Sequence, residues 1–157
     1  MPEFERPKSV LMIGNSMGGV ISRGVLTPFD ENDKFPEKKL VHTIITQSTP
    51  HIRPVIAIDS ALDDYYNKVN QYWLNRSSTL LENVVLVSTY GGTRDLLVRS
   101  GLANINKWNS KSPATIISVY TGSIPYVWRS VDHRCMSWCK EVSFIQFFIL
   151  LFIFISK

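Results

Sequence analysis

Val10-Leu11-Met12-Ile13-Gly14-Asn15-Ser16-Met17-Gly18-Gly19 decides how this chain is read: an apolar run ends in G-x-S-x-G, where a strand gives way to a helix. A serine on a sharp strand-to-helix turn needs glycine on both sides, because the backbone is strained there and a bulky neighbour would block the hydroxyl. The following residues, Val20-Ile21-Ser22-Arg23-Gly24-Val25-Leu26, keep apolar side chains at helical spacing. Strand, turn and helix come in the order of a nucleophile elbow, and the chemistry indicated is acyl transfer through a seryl ester.

Working outward, apolar and β-branched runs recur at Leu40–Gln47, Val84–Thr89 and Thr115–Tyr120, each short enough and well enough flanked to be a buried strand. Thr27 to Lys39, rich in Pro, Asp, Asn and Lys, reads as a surface loop. Leu62, Tyr65, Tyr66, Val69, Tyr72 and Trp73 recur at intervals of three and four and predict a packed amphipathic helix. Strand and helix alternate, so the expected class is α/β, with a mostly parallel sheet of about four strands, flanking helices and sites at the carboxyl ends of the strands. The elbow normally follows several strands, yet here it begins at residue 14. The expectation is the C-terminal portion of an α/β-hydrolase fold with the early strands missing: residues 1–142 a partial catalytic domain, 143–157 an apolar tail.

A length of 157 residues with 45% hydrophobic content suits one packed domain. The net charge of +4 comes from scattered Lys and Arg without a basic run or interleaved aromatics, so no nucleic-acid partner is expected. The only two cysteines, Cys135 and Cys139, lie four apart in a stretch that reads as helix. No second ligand pair with zinc spacing accompanies them, and helical i,i+4 geometry does not favour a bridge, so neither a metal nor a disulfide is expected. No cofactor is expected either. Asn75-Arg76-Ser77 is a glycosylation triplet, meaningful if the chain enters the secretory pathway. Phe144 to Ile155 is almost wholly apolar, but a membrane span wants about 20 such residues; a buried terminal helix or a shortened span is expected. The start, Met1-Pro2-Glu3-Phe4-Glu5-Arg6, is charged and short and does not read as a signal peptide.

If Ser16 is the nucleophile, a histidine must take its proton and a carboxylate must hold that histidine in the right tautomer. Of the three histidines, His42 opens a predicted strand and reads as a strand residue, and His51 follows that strand in Ser48-Thr49-Pro50-His51. His133 comes after the last strand, and it alone satisfies the hydrolase order of serine, acid, histidine. The acid expected is Asp95, reached from the third strand through Gly91-Gly92; the bland alternative is a turn-capping aspartate or one paired with Arg94 or Arg99. Asp132 is the rival, but neighbours on an extended segment point apart. Met17 supplies one oxyanion N–H by position. The second donor normally comes from a loop after an early strand, and losing one donor typically costs about 100- to 1000-fold in rate.

The chain resembles the GPI inositol-deacylase family, lipase-like enzymes of the endoplasmic reticulum membrane. The resemblance rests on Pro7-Lys8-Ser9-Val10 leading into the elbow, Ile44-Ile45-Thr46-Gln47-Ser48-Thr49-Pro50-His51, and Asn70-Gln71-Tyr72-Trp73. It continues through Gly91-Gly92-Thr93-Arg94-Asp95 with Val98-Arg99-Ser100-Gly101-Leu102, and Asp132-His133 with Trp138-Cys139-Lys140. It covers residues 7 to about 142, departing where Asn15 replaces the usual histidine and in the tail after Glu141. Carried over residue by residue, it implies Ser16 as nucleophile, Asp95 as acid and His133 as base. It also implies the reaction: hydrolysis of the acyl ester on the inositol of a GPI anchor, by a lumenal domain of an endoplasmic reticulum membrane protein, with GPI lipid or GPI-anchored protein and membrane lipid as partners. Two other readings are a truncated, inactive hydrolase remnant and a general lipase or thioesterase.

Overall fold

Four apolar runs pair side by side in the computed structural model, which describes residues 7–30, 36–56 and 59–143. They form β1 (Val10–Asn15), β2 (Val41–Gln47), β3 (Val85–Tyr90) and β4 (Thr115–Tyr120), all parallel and in spatial order β1-β2-β3-β4. The register sets Ile13 against Ile45, Ile45 against Val87 and Val87 against Ile117. β2 and β3, with neighbours on each side, are nearly continuous in buried side chains, the mark of a sheet covered on both faces. Among the described residues β1 and β4 are the outer strands, and Ile13 (53%) and Ile117 (46%) stay half exposed on them.

Parallel neighbours need crossovers, and helices α1 (Met17–Leu26) and α2 (Ser60–Trp73) supply the first two. The periodicity of α2 is realised in packing: Tyr66, Val69 and Trp73 are buried, and Leu62, Tyr65 and Tyr72 half-buried. Its start is fixed by Asp59, whose carboxylate accepts from the Leu62 N–H at 2.8 Å. Short helices α3 (Ser100–Ala103) and α4 (Cys135–Trp138) follow β3 and β4. The core gathers Leu26, Ile44, Val69, Trp73, Leu86 and Ile116 from sheet and helices. A smaller cluster of Val127, Val131, Cys135, Met136 and Val142 draws on residues on both sides of His133 in the chain.

Two sequence expectations change. Within the stretch read as loop, Pro36–Leu40 forms a 3-10 turn, and Leu40 belongs to it rather than to β2. Cys135 and Cys139 are joined in a disulfide, against the reading that helical geometry disfavours a bridge. The reason is that α4 stops at Trp138 and Cys139 turns to extended backbone (φ −60°, ψ 127°). This brings the two Cα atoms to 4.8 Å, inside the range that a bridge spans. Of the apolar tail expected at 143–157, residues 144–157 lie outside the described residues. Among the described residues, no helix is long and apolar enough to cross a membrane.

Candidate active site

β1 runs straight into α1 with only Ser16 between them, so that one residue must reverse the chain. It does so at φ 52°, ψ −126°, a left-handed conformation that costs a non-glycine residue about 1–3 kcal/mol. The strain is held in place from both sides. The Ser16 N–H donates to the Gln47 carbonyl at 2.8 Å, continuing the ladder past the end of β1, and the Gly19 N–H reaches back to the Ser16 carbonyl. Close approach of the two limbs explains the glycines, with one difference from the sequence reading. A Cβ on Gly14 would sit 2.6 Å from the Gly19 backbone, and one on Gly19 would collide with Thr46 and Thr49. A Cβ on Gly18 would meet nothing within 4 Å. The second indispensable glycine is therefore Gly19 rather than Gly18.

Met17 opens α1, where helix geometry leaves the backbone N–H without an intrahelical acceptor and the macrodipole is positive. No acidic side chain in the first turn offsets that field. The Met17 side chain is held aside by Tyr66, whose hydroxyl contacts its sulfur at 3.1 Å; burial pushes the Tyr66 phenol up to about 12, so it stays protonated as donor.

The other two residues arise at the same edge of the sheet, after β3 and β4. β3 ends in Gly91-Gly92, and Gly92 at φ 82° takes a conformation that only glycine adopts freely. The turn brings Asp95 inward, where it is fully buried. Its Oδ1 accepts from the backbone N–H groups of Leu97 (3.2 Å) and Val98 (2.8 Å), and its Oδ2 lies 3.2 Å from His133 Nδ1. A carboxylate can only accept, so Nδ1 carries the proton and Nε2 is left as the basic nitrogen. The segment that carries His133 is tied to the loop that carries Asp95 by the Val131 N–H, which donates to the Gly91 carbonyl at 2.9 Å, and through Ser130, which contacts Thr93 and the Tyr120 hydroxyl. The rival acid, Asp132, is occupied elsewhere: its Oδ1 accepts from Arg134 N and Cys135 N, both at 2.9 Å, capping α4.

Thus the structure joins Asp95 to His133 and sets Ser16 on the same carboxyl edge. Among the described residues, the Ser16 hydroxyl makes no hydrogen bond, to His133 or to any other group. Catalytic contacts of this kind often close only around substrate. No group of three or more His, Cys, Asp or Glu is placed to hold a metal among the described residues.

His51 is fully buried and takes a structural part. Arg23 Nη1 approaches its Nδ1 at 3.3 Å, and since a guanidinium only donates, His51 must be the Nε2–H tautomer, donating to Thr46 Oγ1 at 2.9 Å. Burial first, then the Arg23 charge, holds the His51 pKa well below its ordinary value. Arg23 itself is wholly buried without any described carboxylate as partner. It is held by Asn70 Oδ1 (2.7 Å) and the His51 carbonyl (3.3 Å), between the rings of Trp73 and Trp108 at 5.1 and 4.7 Å. Burial lowers its pKa to about 9, so it remains cationic at neutral pH. Sequence reasoning passed over this arginine; the available signal was a lone charge at position 23 within an otherwise apolar helical stretch.

Residues 2–151 match the PGAP1-like alpha/beta domain. The chain belongs to that family. PGAP1-like relatives include a protein named GPI inositol-deacylase from Xenopus laevis, 40% identical over 136 residues, covering 87% of this chain and 14% of the relative. The mouse (Mus musculus) protein of the same name is 37% identical over the same share of each. One from Aspergillus fumigatus is 38% identical over 147 residues, 89% of this chain and 12% of the relative. The chain thus spans about one seventh of the length of the curated relatives it matches.

Proposed function

We propose that this chain carries the seryl-esterase centre of a GPI inositol-deacylase. The observation that carries the reading is the Asp95–His133 pair on the carboxyl edge of the sheet whose first strand ends in strained Ser16. The names of relatives at 37–40% identity supply the substrate class.

In this reading Ser16 Oγ attacks the carbonyl carbon of the inositol-linked acyl ester while His133 Nε2 takes the hydroxyl proton. Asp95 Oδ2 holds the resulting imidazolium through Nδ1. The oxyanion forms against the Met17 N–H at the positive end of α1. Collapse of the intermediate breaks the bond to the inositol oxygen, which leaves with the proton held on Nε2. Water, deprotonated by the same nitrogen, then attacks the acyl-serine; its bond to Ser16 Oγ breaks, Oγ takes the proton back from Nε2, and the fatty acid is released. The substrate is GPI lipid or a GPI-anchored protein in a membrane, and the site works on the lumenal side of the endoplasmic reticulum. The Cys135–Cys139 disulfide supports a lumenal setting, since such bonds persist in oxidising compartments.

The test is a fluorophosphonate probe on the full-length protein in microsomes, read beside release of fatty acid from inositol-acylated GPI. Labelling that maps to Ser16 and is lost together with deacylation in Ser16→Ala is expected. Deacylation that survives Ser16→Ala, or activity on simple acyl esters alone, would overturn the assignment.

A further inference from the structure

We propose that Asn75 is an N-glycosylation site whose glycan projects from the edge of the sheet opposite the catalytic residues. The proposal rests on the lumenal reading above. Asn75-Arg76-Ser77 has the acceptor pattern with no proline in the middle, and all three residues are exposed in the turn after α2. The turn is already shaped for the modification: the Ser77 N–H donates to Asn75 Oδ1 at 3.0 Å, which folds the serine back over the amide. Neither Asn75 Nδ2 nor the Ser77 hydroxyl is engaged with a described residue. A sugar on Nδ2 therefore breaks no hydrogen bond of the fold and displaces no packed side chain.

Topology puts the glycan out of the way of substrate. β2 delivers the chain to the carboxyl edge, α2 returns it, and β3 sets out again from the amino edge, so the turn at Asn75 lies at the amino edge. A contact across that edge agrees: Arg76 Nη2 donates to the Ser110 carbonyl at 2.5 Å, in the connection that leads into β4. Ser16, Asp95 and His133 all follow the other ends of their strands. In the transfer, the co-reactant is an oligosaccharide on a polyprenyl pyrophosphate. The bond between sugar C1 and the pyrophosphate oxygen breaks, C1 bonds to Asn75 Nδ2, Nδ2 gives up one proton, and the polyprenyl pyrophosphate leaves.

The experiment expresses the full-length protein in eukaryotic cells with a reporter acceptor triplet in a flexible Gly/Ser insert ahead of Pro7. Peptides are mapped for the asparagine-to-aspartate conversion that peptide N-glycosidase leaves at occupied sites. Conversion at Asn75 is expected, lost in Ser77→Ala, kept in Ser77→Thr, with deacylation unchanged in Asn75→Gln. A reporter that is occupied while Asn75 is not overturns the proposal and leaves the lumenal reading standing. If neither is occupied, both fall.

Discussion

Asp95 divides its carboxylate between two tasks: Oδ2 faces His133 Nδ1 at 3.2 Å, while Oδ1 accepts the N–H groups of Leu97 and Val98 that shape its own loop. An amide at this position keeps an oxygen for the loop but cannot hold an imidazolium. Asp95→Asn is therefore expected to lower kcat by about 10⁴-fold, with a change in unfolding free energy under about 1 kcal/mol. Asp95→Ala leaves two N–H groups unpaired and costs about 2–3 kcal/mol as well. Paired kinetics and urea unfolding separate the two tasks; equal destabilisation by both substitutions would count against the division.

At Ser16 the proposed activity and the stability of the fold oppose each other. Its left-handed backbone is kept by the surrounding hydrogen bonds and not by any preference of serine. Glycine adopts that conformation without the Cβ penalty, so Ser16→Gly should stabilise the fold by about 1 kcal/mol and abolish fluorophosphonate labelling. Unfolding at a lower denaturant concentration than the parent would sink the idea that strain is stored there.

The three glycines around Ser16 are expected to behave differently under the same substitution. Gly14→Ala and Gly19→Ala drive a Cβ into backbone and into Thr46 and Thr49, and each should cost about 3 kcal/mol or more. Gly18→Ala enters open space inside α1 and should be neutral or stabilising by up to about 1 kcal/mol. Thermal unfolding of the three variants gives the order directly, and a Gly18 variant as damaged as the others would refute it.

What sequence could reach here was set by how local the physics is. β1, Ser16 and α1 were legible because the apolar run, the turn residue and the helical spacing are neighbours, and the other three strands emerged within a residue or so for the same reason. Asp95 and His133 could be chosen by chain order, yet their contact across 38 positions depends on β3 and β4 pairing and on the turn at Gly92. The Cys135–Cys139 bridge was misjudged because it depends on one backbone angle at Cys139, where α4 ends. Arg23 was missed because its partners, His51, Asn70, Trp73 and Trp108, come from segments that only the fold assembles.

That assembly makes a prediction for acid. His51 is locked neutral, with Nδ1 facing the Arg23 guanidinium, and its pKa is held well below 6.5 by burial and by that charge. The unfolded imidazole takes up a proton near 6.5, so below that value the unfolded chain binds more protons and folding stability falls as pH falls. From about pH 7.5 to about pH 5.5 the loss from this one group is on the order of 1 kcal/mol. Carboxylates add their own slopes, so the measurement is a difference: urea unfolding of the parent against His51→Gln, whose amide oxygen and nitrogen replace the contacts to Arg23 and Thr46 without titrating. The variant should lose on the order of 1 kcal/mol less than the parent across that range. An identical pH dependence in both proteins would mean that His51 is not buried as the neutral tautomer that Arg23 requires.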